Sequence, residues 1–128
     1  ININSFFPRS HKEHNDDRGS FSELSRVFSQ GQTSFSITKK GVIRGNHFHT
    51  RKIERFSVIE GKAKIELREI LSDKKFEFIL DGAKPSYIDI PIWHTHNIQN
   101  IGDKDLITVF WINEHYNEDT ADTYLENV

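Results

Sequence analysis

The sequence contains no cysteine. That excludes a disulfide framework and every thiolate metal site, so a metal would have to be held by imidazole and carboxylate. Methionine is also missing, even at position 1, where Ile1 stands; the chain is therefore expected to be trimmed at its start or cut from a longer protein. Long apolar runs are lacking. The longest, Leu106–Ile112, is interrupted by Thr108 and is far too short to span a bilayer. No charged-then-apolar leader opens the chain, which gives the expectation of a cytoplasmic protein. An excess of one charge is lacking too. Lys and Arg total 17 against 19 Asp and Glu, a net charge of -2, so no basic footprint calls for nucleic acid or an anionic membrane.

What is present fits one compact domain of 128 residues, long enough to bury a core without covalent staples. Ile1–Phe7 reads as an edge strand or arm, and the polar run Arg9–Arg18 as a surface loop. Beyond it the pattern is one of short strands. Ser34–Thr38 alternates Phe35 and Ile37 with hydroxyl residues. Ala63, Ile65 and Leu67 alternate with Lys64, Glu66 and Arg68, and Phe76, Phe78 and Leu80 repeat the period. Tyr87–Ile90, Thr95–Asn100 and Leu106–Ile112 follow, separated by turn residues such as Glu60-Gly61 and Asp81-Gly82. Turns at this spacing predict an all-β sandwich or barrel rather than βαβ units, with the barrel over residues 34–112, an arm and loop over 1–20 and a tail over 113–128. Helical turns are expected only in Phe21–Ser29 and after Asn113.

Seven histidines are a generous supply for so short a chain, and two stretches concentrate them. In the first, His47 and His49 are two apart, which on a strand aims both imidazoles at one face. Glu54 opens the alternation Glu54, Phe56, Val58 and so shares a face with two core residues. A carboxylate aimed into an apolar interior is costly unless a positive partner meets it, and imidazoles with a divalent cation would do so. In the second stretch His96 shares its face with Ile98. Three imidazoles and a carboxylate suit Zn, Fe(II), Mn, Ni or Co alike.

These residues resemble the cupin superfamily. Gly41, His47, His49, Glu54 and Gly61 occupy every fixed position of the first cupin motif, and Pro91, His96 and Asn100 match the later one, with Trp93 where the motif has glycine. The resemblance implies a double-stranded β-helix, or jelly-roll barrel, with a metal held by His47, His49, Glu54 and His96. Asp17–Glu23, Lys40–His49, Asp89–Ile98, Phe110–Glu114 and Asp122–Tyr124 are similar to the nucleotide-sugar cupins, in particular to the C-terminal domain of the bifunctional capsular polysaccharide biosynthesis enzymes. That likeness implies a zinc-dependent epimerase acting at C3 of a UDP-4-keto-6-deoxy-N-acetylhexosamine in bacterial surface polysaccharide biosynthesis. It also implies a reductase domain either upstream or in a separate chain, and a homodimer is expected, with strand exchange by the apolar arm Ile1–Phe7 as its interface.

Epimerisation beside a ketone needs a polarised carbonyl, a base and an acid, and neither thiol nor redox partner. The base is a metal-bound hydroxide or His94, which stands two residues before His96. By resemblance Arg44 contacts the nucleotide-sugar phosphates; strand parity sets it opposite to His47 unless a bulge at Gly45 re-aims it. By the same resemblance Glu23 is expected to accept from an inward base or a sugar hydroxyl, the alternative being a surface carboxylate, and Trp93 is expected either to shape the barrel mouth and stack on a ring or to serve as a core or interface residue. His11, His14 and His115 read as solvated. The competing assignments are a 3,4-ketoisomerase, an Fe(II) dioxygenase, and a non-catalytic cupin that binds a sugar nucleotide or supports dimerisation.

Overall fold

The computed structural model describes Ser5, Pro8, residues 10–27 and residues 31–128, with Val27 given by its backbone alone. The arm expected at Ile1–Phe7 lies outside the described residues apart from Ser5. Among the described residues eleven strands follow in order: β1 Glu13–Asp16, β2 Gly19–Val27, β3 Gly31–Thr38, β4 Ile43–Phe48, β5 Glu54–Glu60, β6 Lys62–Glu69, β7 Lys75–Asp81, β8 Ser86–Ile90, β9 His94–Asn100, β10 Leu106–Ile112 and β11 Tyr124–Leu125. They form two antiparallel sheets, one ordered β1-β2-β3-β10-β5-β8 and the other β11-β4-β9-β6-β7. This is the cupin double-sheet barrel.

The alternation in β6 buries Ala63, Ile65 and Leu67, which stand opposite Asn100, Ile98 and His96 of β9. From the other sheet Phe56, Val58, Ile90 and Leu106 meet them, so one apolar core lies between the two sheets. Turns at the far end from the histidines close tightly. Gly61, between β5 and β6, has φ +88°, and a Cβ there would lie 2.9 Å from the carbonyl oxygen of Asp105.

Three expectations are corrected. The polar run Arg9–Arg18 is not all loop, because Glu13–Asp16 pairs with Gly19–Ser22 as a hairpin. Its turn is held by the Asp16 carboxylate, which accepts from the Arg18 backbone N–H at 2.9 Å. Phe21–Ser29 is not helical over its described residues, which lie in β2. The period there is 2, with Phe21 and Glu23 on one face and Ser20 and Ser22 on the other. The sheet therefore begins at residue 13 rather than 34. Past Asn113 the chain holds one 3-10 turn, Glu118–Thr120, capped by the Asn117 side chain, and then β11, which pairs with β4.

Candidate metal centre

His47 is the last but one residue of β4, His49 follows that strand, Glu54 begins β5 and His96 lies in β9. One ligand atom from each falls within 4.8 Å of the others. Two distant stretches thus converge, and they do so across the barrel, since β5 belongs to one sheet and β4 and β9 to the other.

A bulge sets the approach. The β4–β9 register passes from Gly45 opposite Asn97 to His47 opposite His96, so Asn46 is the extra residue. Gly45 has φ +103° and Asn46 φ +59°. A Cβ on Gly45 would lie 2.8 Å from the His96 carbonyl oxygen, so glycine is required where β4 crosses β9. The bulge also lets Arg44 and His47, three residues apart, line the same cavity.

Backbone carbonyls fix the imidazole tautomers. His49 Nδ1 donates to the Asp122 carbonyl at 2.8 Å, and His96 Nδ1 to the His94 carbonyl at 3.1 Å. A carbonyl can only accept, so Nδ1 carries the proton in each ring and Nε2 presents a lone pair unless the ring is doubly protonated. His49 Nε2 then faces Glu54 Oε1 at close contact. His96 Nε2 lies 3.3 Å from the same oxygen but outside hydrogen-bond geometry, and is buried without a partner. Two imidazole lone pairs directed at a carboxylate repel one another unless a cation lies among them. The donor set therefore fits a divalent metal.

Burial, aided by the neighbouring His96, lowers the His47 imidazole from 6.5 to about 4, so this ring too is neutral near pH 7. For Glu54 burial pushes the carboxyl up, and the His49 and His96 rings pull it below the usual carboxylate range only when they carry a proton on Nε2; with both Nε2 atoms presenting lone pairs, a cation has to take that part.

The cluster opens on a cavity of about 470 Å³. Phe21, Phe56, Phe110, Ile98 and Ile112 form an apolar wall, with the Phe56 and Phe110 rings edge to face at 4.7 Å. Arg18, Arg26, Arg44 and Lys52 bring four cations to the same space.

The structure brings together Arg44, Glu23 and the four cluster residues, and leaves His94 and Trp93 elsewhere. Arg44 donates to Thr38 Oγ1 at 2.8 Å and to the Ile37 carbonyl at 3.3 Å. Glu23 lines the cavity, paired with Arg26 at 2.8 Å. His94 does not line it: the residue stands opposite Glu69 at the end of β9, and its Nδ1 engages the Ile92 carbonyl at 2.9 Å. Trp93 has φ +59°, its N–H donates to the His49 carbonyl at 2.7 Å, and its ring stacks on Phe48 rather than facing the cavity. Phe48 alternates with His47 and His49, which puts that stack on the outer side. His14, read as solvated, is exposed but lines the cavity mouth from β1.

Sequence reasoning passed over Asp122 and Lys52. The Asp122 side chain is fully buried and accepts backbone N–H bonds from Thr50, Arg51 and Lys52 at 2.8 to 3.1 Å, together with the Thr50 hydroxyl at 2.6 Å. Burial raises that carboxyl, but the Thr50 hydroxyl and the backbone N–H groups more than compensate and hold it ionised. Asp122 lies 73 residues from His49, so no local periodicity could have joined them.

Known proteins bear on this geometry. Residues 14–124 match the model of the polysaccharide biosynthesis C-terminal domain family. Over 112 residues the chain is 38% identical to a UDP-2-acetamido-2,6-beta-L-arabino-hexul-4-ose reductase of Pseudomonas aeruginosa, covering 87% of this chain and 30% of that protein. It is 28% identical over 120 residues to the spore coat polysaccharide biosynthesis protein SpsL of Bacillus subtilis, covering 86% of this chain and 80% of SpsL. The capsular polysaccharide assembling protein CapF of Staphylococcus aureus superposes with a TM-score of 0.95 at 39% identity, over 98% of this chain and 34% of CapF. The chain thus spans about a third of the reductase and of CapF. An oxalate decarboxylase of Lactobacillus farciminis superposes with a TM-score of 0.69 at 26% identity, over 81% of this chain and 31% of that one. The barrel, its clustered imidazoles and these likenesses agree, and the chain belongs to the polysaccharide biosynthesis C-terminal domain family as a cupin domain of the CapF type.

Proposed function

We propose that this chain is a metal-dependent epimerase acting at C3 of a UDP-4-keto-6-deoxy-N-acetylhexosamine in bacterial surface polysaccharide biosynthesis. The observation that carries the reading is the set of imidazole and carboxylate lone pairs converging at the cavity, with His96 Nε2 buried and unpartnered. His47, His49, Glu54 and His96 would hold the ion, zinc by preference. A divalent ion there would polarise the ketone and so acidify the neighbouring C–H.

The residues around the cluster have separate tasks. Arg44 is not ion-paired to any carboxylate among the described residues, and its guanidinium is the phosphate contact of the nucleotide sugar. Glu23 accepts a sugar hydroxyl. The phenylalanine wall covers an apolar side of the sugar and excludes bulk water, which strengthens each electrostatic contact. Epimerisation leaves a ketone, and the reductase named among the relatives supports a reduction following in an attached domain or a separate chain. The reading includes a cytoplasmic homodimer. Among the described residues no helix is long and apolar enough to cross a membrane.

The test is solvent exchange. Zinc-loaded protein is incubated in D2O with the keto sugar nucleotide, and the mass and proton spectrum at C3 are followed. Deuterium uptake that stops on chelation and returns with zinc is expected. A zinc-loaded protein that binds the sugar nucleotide without exchanging C3 would be a binding module, and the enzymatic reading would fall.

A further inference from the structure

The four cations of the cavity are not equivalent. Arg18 is paired with Asp16 at 2.6 Å and Arg26 with Glu23 at 2.8 Å. Arg44 donates to a hydroxyl and to backbone carbonyls. Lys52 is only 6% exposed, lines the cavity, and has no carboxylate within ion-pair distance and no hydrogen-bond acceptor for its ammonium among the described residues. Its one neighbour of note is the ring of Tyr116, with Nζ 5.7 Å from the centroid.

This is an unusual position for lysine. The side chain ordinarily carries its charge out to water along an apolar stem. Here the stem is buried and the charge is turned to the cavity without a counter-charge, and a weak contact with a ring at that distance offsets little of its partial loss of water. The nearby Glu54 carboxylate faces the His49 and His96 rings and lies beyond ion-pair distance of the Lys52 ammonium. Nor is the position accidental, because the Lys52 backbone N–H is held by the buried Asp122 carboxylate at 3.1 Å, two residues before Glu54. The fold therefore fixes an unpaired positive charge beside the metal cluster.

We propose that Lys52 is an oxyanion contact of this cavity, its ammonium meeting a negatively charged oxygen of the bound molecule. The proposal rests on the sugar-nucleotide reading above. Such an oxygen has two sources: the diphosphate, present from the moment of binding, or the ketone oxygen as it gains charge when the C3 proton leaves.

Lys52→Met removes the charge and keeps the stem; Lys52→Arg keeps the charge. Zinc content and thermal midpoint are measured first, and Lys52→Gln carries the same comparison where an apolar head disturbs the packing. UDP affinity is then read by calorimetry, and kcat and KM for C3 exchange in D2O by mass. With the diphosphate as partner, the neutral variant binds UDP at least about tenfold more weakly, and Lys52→Arg restores most of it. With the ketone oxygen as partner, UDP affinity and KM stay put while kcat falls about 100-fold. A zinc-replete neutral variant within twofold of wild type in every quantity overturns the Lys52 assignment and leaves the epimerase standing. Wild-type protein that binds UDP but does not exchange C3 sinks the epimerase, and Lys52 is then judged on UDP affinity alone. Wild-type protein that does neither overturns both.

Discussion

His47 sits among charged and ring-bearing neighbours yet stays neutral, and acid should expose this. The unfolded chain takes up a proton on this imidazole near 6.5 and the folded chain only near 4, because burial opposes the charge. Its folded value is the lower one, so the stability linked to it is complete above pH 6.5 and drains as pH falls towards 4. The slope is at most about 1.4 kcal/mol per pH unit. Chemical denaturation of chelated protein between pH 7 and 4 should therefore show a decline that is shallower in a His47→Gln variant. Equal slopes for the two proteins would mean that His47 titrates as freely when folded as when unfolded.

Among the elements, the tail governs the loop from β4 to β5. Asp122 gathers three consecutive N–H groups of the loop from β4 to β5 and at the same residue gives its carbonyl to His49 Nδ1. Orienting groups of this kind are typically worth about 10- to 100-fold in metal affinity. Asp122→Ala is therefore expected to weaken zinc by that factor in chelator competition, and to speed amide exchange at Thr50, Arg51 and Lys52. Unchanged zinc affinity with faster exchange would make Asp122 a loop anchor and nothing more.

How legible each element was follows from how local its cause is. Strand β6 announces itself because its alternation is set by an apolar core. In β3 the alternation was equally plain but silent about direction. Ser34, Ser36 and Thr38 are the buried side, and of the three Ser34 lines the cavity. The four cluster residues were readable because parity and motif spacing agreed. His94 shares parity with His96, but it stands at the strand end, past the point where the barrel walls enclose anything. No pattern in the sequence marks Lys52, whose side chain is packed in by the loop that Asp122 closes.

At the scale of the whole molecule, the cluster joins the two sheets. Glu54 comes from the six-stranded sheet, and His47 and His96 from the five-stranded one. An ion held by all of them ties the sheets at the open end of the barrel, where the core gives way to the cavity. Zinc that binds only the folded chain should stabilise it by about 4 kcal/mol at a free concentration 1,000 times its Kd. Differential scanning calorimetry should show a zinc-dependent rise in the thermal midpoint, largely lost in Glu54→Gln. A midpoint indifferent to zinc would indicate that the ion does not join the sheets.

The last residues of the chain lie against the bulge that shapes the site. The Val128 N–H reaches the Asn46 side chain at 3.3 Å, and the Glu126 N–H reaches the Asn46 carbonyl at 3.0 Å. The turn that presents His47 therefore inherits its shape from a segment 82 residues further along the chain, which touches none of the four clustered side chains itself. Whatever disturbs residues 126–128 is accordingly felt at the site.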